Sequence, residues 1–270
     1  MESGNREKRR LALVIQYDGT AFNGLQVQNN GRTVQGELEN ALHILTKENV
    51  RIYASGRTDA GVHALGQVVH FDCESDLKIE RLCIGLNGIL DRDVSVRKIY
   101  EVDHNFHARY SAREREYMYK IYNHPQRSPF MQYRAMWVNH PLDTDYLSET
   151  LSYLVGEHDF ASFCKKKSRM ENTVRKINGI SVHRDGDYVN IIINGNAFLH
   201  NMIRIIIGTS LEMFRQGKNP SLMKKILAQK DRDLGGVTAP AYGLYLNRVM
   251  YDPDLSSIKA SFGDFQESSK

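Results

Sequence analysis

Residues 54–71 run ASGRTDAGVHALGQVVHF, a polar turn between two stretches of strand-forming residues. Gly56 and Gly61 flank Arg57, Thr58 and Asp59. Glycine on both sides lets the backbone turn tightly and lets a ligand approach it closely. Gln67 to Phe71 continues as a strand, and Ile52-Tyr53 supplies a short one before the turn. Arg57 and Asp59, two residues apart, can fix each other through a charge-assisted hydrogen bond. By pattern alone Asp59 is an ordinary turn residue, because aspartate is common in turns. It becomes a candidate only with help from elsewhere in the chain.

Outward from this turn, period-two strands alternate with period-3.6 helices. Leu11, Leu13 and Ile15 share one face of a strand that stops at Asp18-Gly19. TVQGELENALHILTK predicts a helix with Thr33 as N-cap and Val34, Leu38, Ala41, Leu42 and Leu45 on one stripe. Strands follow over Ser95 to Val102 and Tyr117 to Asn123. Asp143 caps a helix that carries Leu147, Leu151 and Leu154 and ends at Gly156. Lys176 to His183 and Tyr188 to Asn194 flank Asp185-Gly186, a strong hairpin signal. A long helix from about Ala197 to Phe214, a shorter one after Pro220 and a strand from Leu244 to Tyr251 come next. The polar tail after Pro253 is expected to be loosely structured. Two halves, each mixing strands with helices, argue for an α+β protein with antiparallel sheets, divided near residue 107 into 1–107 and 108–270.

The 270 residues suffice for one large domain or two of ordinary size. A net charge of +4 is too small to identify a nucleic-acid binder, but the cations are clustered. Lys and Arg outnumber acids six to two between His107 and Arg134, six to one from Phe163 to Ile177, and four to one from Arg6 to Arg10. Three such runs favour an anionic partner. Cys73, Cys83 and Cys164 are odd in number and widely spaced, which gives no disulfide framework or zinc knuckle and points to a reducing compartment. Lys8-Arg9-Arg10 precedes an apolar run, Leu11 to Ile15, too short for a signal peptide. Nothing approaches the roughly 20 apolar residues that cross a bilayer. A soluble, cytoplasmic protein without membrane association is expected.

Two further segments bear on chemistry. Along NAFLHNMIRIIIGTSLEMF, His200, Asn201, Arg204 and Gly208 share a stripe beside Leu199, Met202, Ile203 and Ile206. An arginine there either extends its head to water or lines a polar cleft, where its charge requires a carboxylate. Asp59 is the favoured partner. In FHARYSAREREYMYKIYN, Tyr110, Tyr117, Tyr119 and Tyr122 interleave with Arg109, Arg113 and Arg115. Such tyrosines either pack on a sheet or, with arginines, grip the bases and phosphates of unstacked RNA. Lys165-Lys166-Lys167 is a phosphate-contacting loop or plain surface. His104 and His107 lack the companions of a metal site, and the chain has neither a P-loop nor a dinucleotide-binding glycine fingerprint.

GRTDAGVHALGQVVHF resembles the catalytic segment of the tRNA pseudouridine synthase A family. The similarity continues in family order through YDGTAFNGLQVQ, TVQGELENAL, FHARYSA, YMYKIYN, HDFASFC, FLHNMIRIIIGT and APAYGLYLNRV. The resemblance implies two similar α/β halves whose antiparallel sheets join into one continuous mixed sheet, with helices on one face and an active-site cleft between the halves. It implies a homodimer that isomerises uridine to pseudouridine in the anticodon stem-loop of tRNA, without metal or cofactor. Asp59 matches the family's catalytic aspartate and Arg204 the arginine paired with it. Tyr117 matches the tyrosine that stacks on the target base, Arg57 lies in the catalytic loop, and Leu244 lines the pocket. Many relatives have GWQRQ where this chain has Gly24-Leu25-Gln26-Val27-Gln28, and Glu114 and Glu116 interrupt a usually basic run. Both departures bear on the RNA register and not on the chemistry.

Pseudouridine formation breaks the C1′–N1 bond and rejoins the uracil through C5, with no net gain of atoms or electrons. The step asks for a carboxylate beside the sugar or base and for exclusion of water. Two other readings stay open at this stage. One is the same chemistry at other tRNA or rRNA positions; the other is an RNA-binding protein that keeps the fold without catalysis.

Overall fold

The computed structural model describes residues 8–29, 31–165 and 172–261; Arg6, Lys166, Lys167 and Arg169 of the basic runs lie outside the described residues. Before residue 107 come β1 (Arg9–Tyr17), α1 (Val34–Thr46), β2 (Tyr53–Ala54), β3 (His63–Cys73), α2 (Ile79–Ile89) and β4 (Val94–Val102). After it come β5 (Ala112–Asn123), β6 (Met136–Val138), α3 (Thr144–Ser152), β7 (Gly156–Asp159) and β8 (Val174–Asp185). β9 (Tyr188–Gly195), α4 (Met202–Arg215), α5 (Leu222–Gln229) and β10 (Leu244–Tyr251) complete the strands and α-helices of the described residues.

The strands form one mixed, ten-stranded sheet whose main path is β4-β1-β3-β10-β5-β9-β8-β7. β1 pairs antiparallel with β3 and β4, and β5 pairs antiparallel with β9 and β10. The same three-strand order therefore recurs as β4-β1-β3 and β10-β5-β9. The two copies join where β10 runs parallel to β3, at Tyr245↔His63 and Leu246↔Ala64. This seam brings the second half beside the turn of residues 55–62.

Side chains alternate across the strands. Leu11, Leu13 and Ile15 of β1, Val69 of β3 and Ile191 of β9 share one core with the buried residues of all five described α-helices, so the helices cover a single face. Ala12, Val68 and Tyr100 point the other way, into a smaller cluster with Ala108, Tyr251 and Leu255. Fully burying a side chain such as Leu38 or Leu42 stabilises the fold by about 1.5–3 kcal/mol. Thr33 and Asp143 cap α1 and α3 as expected: Thr33 Oγ1 accepts the Gly36 N–H, and Asp143 Oδ1 accepts those of Asp145 and Tyr146.

Two local expectations fail for identifiable reasons, and one helix forms where no element was expected. α2 carries no side-chain cap at Lys78 and includes Gly85 and Gly88, so its propensity is weak; burial of Leu82 and Leu86 makes it a helix. α3 stops at Ser152, and Gly156, at φ +113, opens β7 instead of closing the helix. The tail is fixed as far as Ser261, whose N–H donates to Ile99 O and whose Oγ accepts the Ile99 N–H. With Leu255 buried and Ala260 bridging Tyr100, this segment covers the edge strand β4. Among the described residues no helix is long and apolar enough to cross a membrane.

Candidate active site

The turn after β2 is built from both sides. Tyr17, at the end of β1, shares a 2.8 Å hydrogen bond with Thr58 Oγ1, and burial pushes the Tyr17 pKa up to about 12. The Thr58 carbonyl accepts the Leu25 N–H, and the Val62 N–H closes on Asp59 O at 3.1 Å. Gly61 sits at φ +78, which side chains avoid. Gly56 has a Cβ position with nothing within 4 Å, so only the second flanking glycine is required by the turn. A rigid loop thus projects the Asp59 side chain, which is 31% exposed.

Both carboxylate oxygens meet groups from the second half. Asp59 Oδ1 lies 3.1 Å from His200 Nε2, and Oδ2 lies 3.3 Å from Arg204 Nη1. Arg204 Nη1 also donates to Asn201 Oδ1 at 2.8 Å, and Nε donates to Ala239 O at 2.8 Å. The Ala239 N–H returns a bond to Arg204 O. Three acceptors span the planar fork and fix where it points. Arg57 is exposed and does not supply the carboxylate's partner; the spacing allowed that pair, but the turn aims Asp59 across the seam.

The long helix starts later than its hydrophobic pattern suggests. α4 begins at Met202, and His200 and Asn201 precede it, with Asn201 left-handed at φ 62. That reversal lets His200 and Arg204 approach one carboxylate. Gly208 lines no cleft: a Cβ there would lie 1.8 Å from the Val237 carbonyl oxygen. Its role is to let the 237–239 segment lie against α4, which places the Ala239 carbonyl under Arg204.

Tyr117 is buried on β5 between Ile193 of β9 and Leu246 of β10, with Phe198 edge-on at 5.2 Å. Burial first, and then the neighbouring Tyr17 and Asp59, push its hydroxyl pKa upward, so it stays protonated. Leu244, also buried, faces Tyr119 two residues before Leu246 on β10. Tyr119 itself is fully buried core.

Arg115 takes a different part from the RNA contact that its neighbours suggested. It is 9% exposed, and its guanidinium donates to the carbonyls of Ser55 at 3.0 Å, Asn196 at 2.7 Å and Arg109 at 2.6 Å. It therefore braces the loops that carry Asp59 and His200. Glu116 is likewise structural, accepting from Asn247 Nδ2 at 2.5 Å and from Arg248 at 3.1 Å. Leu25, at the first departure from the family pattern, packs in the core. His200 belonged to the polar stripe visible in the sequence, but nothing in the spacing aims it at Asp59.

The tRNA pseudouridine synthase family model matches residues 13–111 and 151–252. A tRNA pseudouridine synthase A of Brevibacillus brevis is 46% identical over 243 residues, covering 90% of this chain and 100% of that protein. One from Geobacillus kaustophilus is 44% identical over 247 residues, covering 91% and 96%. One from Anoxybacillus flavithermus is 45% identical over 247 residues, covering 90% and 99%. The family match on both sides of the seam and relatives of this similarity along nine-tenths of the sequence lead to one assignment: the chain belongs to the tRNA pseudouridine synthase family.

Proposed function

We propose that this protein isomerises uridine to pseudouridine in the anticodon stem-loop of tRNA, with Asp59 as the catalytic group and no metal or cofactor. The observation that carries this reading is a single carboxylate held on both oxygens by residues from across the seam, beside a buried tyrosine. In the reaction the C1′–N1 bond breaks, the uracil turns, and C5 bonds to C1′. C5 gives up a proton and N1 gains one, so the balance needs nothing further.

Asp59 acts at the sugar carbon, where oxocarbenium-like charge develops. Arg204 and His200 are positioning residues that fix the plane of the carboxylate. Tyr117 stacks on the flipped base, an interaction worth roughly 1–3 kcal/mol against a flipping cost of a few kcal/mol. Phe198, whose ring meets Tyr117 edge-on, moves aside for the base. Leu244 and Leu246 keep water from the detached uracil. Arg57, exposed at the crest of the turn, meets the incoming nucleotide, and the basic runs dock phosphates without selecting sequence. With a domain boundary at residue 107, the site lies between domains of one protomer in a cytoplasmic homodimer.

The test uses the purified full-length chain and a tRNA transcript, with pseudouridine read by carbodiimide-mapped primer extension. Asp59→Ala is expected to abolish product while tRNA binding survives. Substantial product from Asp59→Ala, or none from the unaltered protein, would sink the reading.

A further inference from the structure

A cluster of rings around the buried His70 ends at the surface in Tyr110. Tyr53 of β2 stacks on His70 of β3, with centroids 5.2 Å apart and planes at 25°. His70 meets His107 at 4.5 Å, and His107 meets Tyr110 at 4.4 Å. His107 Nδ1 accepts the Arg109 N–H at 3.1 Å, which fixes the turn presenting the last ring. Tyr110 is nevertheless 78% exposed. A ring braced by His107 and still largely open to solvent loses little freedom when something stacks on it.

Its surroundings are cationic. The Arg109 guanidinium lies 5.7 Å from the Tyr110 centroid, and the Arg113 side chain is 69% exposed. A groove of about 520 Å³ is lined by Tyr110, Ser111, Ala112, Arg113 and Asp252. Asp252 is the acid among them. Its 3.6 Å pair with Arg113 is open to solvent on both sides, so it contributes little and Arg113 can exchange it for a phosphate. The turn also adjoins the catalytic loop, because the Arg115 guanidinium holds both Arg109 O and Ser55 O. From Ser55 to Asp59 the chain reaches at most about 14 Å, a distance an RNA strand covers in a few nucleotides.

We propose that Tyr110 is a base-stacking subsite. It takes an unpaired nucleotide of the RNA a few positions from the target uridine, with Arg109 and Arg113 on the adjoining phosphates. This rests on the RNA-directed reading of the site.

The experiment measures binding of a tRNA transcript by the full-length protein directly, apart from product formation. Tyr110→Ala is expected to weaken binding about tenfold, the order that one base–aromatic stack supplies, while Tyr110→Phe stays within about twofold of the unaltered protein. Arg113→Ala should lower the salt slope of binding by about one. Abasic substitutions along the loop should reveal one position whose loss is not additive with Tyr110→Ala. Equal binding by Tyr110→Ala, equal damage from Tyr110→Phe, or additivity at every position overturns the proposal. If the protein binds tRNA through Tyr110 but forms no pseudouridine, the catalytic reading fails and the subsite stands.

Discussion

Replacing Arg204 tests whether the held carboxylate matters for the chemical step. Its guanidinium serves Asp59 Oδ2 at 3.3 Å, Asn201 Oδ1 at 2.8 Å and Ala239 O at 2.8 Å from a largely buried position. A hydrogen bond to a charged group is worth about 1.5–3 kcal/mol, and the partial exposure of Asp59 argues for the low end. A carboxylate released from one of its two tethers also loses orientation, and a misplacement of about 1 Å can cost roughly 10²-fold. Together these set an expected fall of about 10²- to 10³-fold in the single-turnover rate of Arg204→Met. Arg204→Lys keeps the charge but cannot span three acceptors, so it should recover only about tenfold of that loss. Binding of tRNA should change less than about threefold, because the donors of Arg204 are already occupied within the protein. The assay is release of tritium from tRNA labelled at uridine C5, the position that loses its hydrogen. A rate for Arg204→Met near that of the unaltered protein, or a loss lying entirely in tRNA affinity, refutes the positioning role.

Arg115→Ala leaves the carbonyls of Ser55, Asn196 and Arg109 without their donor; unfolding in urea should show a loss of about 2–4 kcal/mol, and guanidinium ion should partly restore activity. Gly208→Ala forces a Cβ against the Val237 carbonyl, so a cost of about 1–3 kcal/mol is expected together with a lower turnover rate, since Ala239 must shift under Arg204. Phe198→Ala uncovers Tyr117; steady-state kinetics should show a lower barrier to base entry and greater loss of uracil to water. His70 is buried, and burial first, then the charges of His107 and Arg10, hold its pKa down to about 4. Because the unfolded chain takes up this proton near pH 6.5, the stability is fully present above that pH. It declines as pH falls from 6.5 towards 4, by up to about 3 kcal/mol. Denaturation of the protein and of His70→Gln at pH 7 and 4.5 should show the smaller pH dependence in the variant; equal slopes count against the assignment.

Much of the local structure was legible because it rests on local rules. Thr33, Asp143 and Asp185-Gly186 act on backbone within a few residues of themselves, and the predicted caps and hairpin stand where those signals place them. The strand from Leu244 to Tyr251 was marked by its own alternation. α2 was not legible, because its helical state comes from Leu82 and Leu86 packing against the sheet and not from a cap or strong propensity. The onset of α4 was misplaced because hydrophobic periodicity runs back through Leu199, whereas the left-handed Asn201 ends the helix in one step.

The sequence by itself determined most of the elements, the turn at Asp59 and the candidate residues for the chemistry. Only the tertiary structure decided which of them meet. His200 and Arg204 lie more than a hundred positions from Asp59, and Arg115 is as cationic as its exposed neighbours. The parallel seam of β3 and β10 turns the first two toward one carboxylate and buries the third as a brace. Spacing along a chain fixes what is near only within a helical turn or a strand pair; which residues share a charge across a sheet is set by how the strands are ordered.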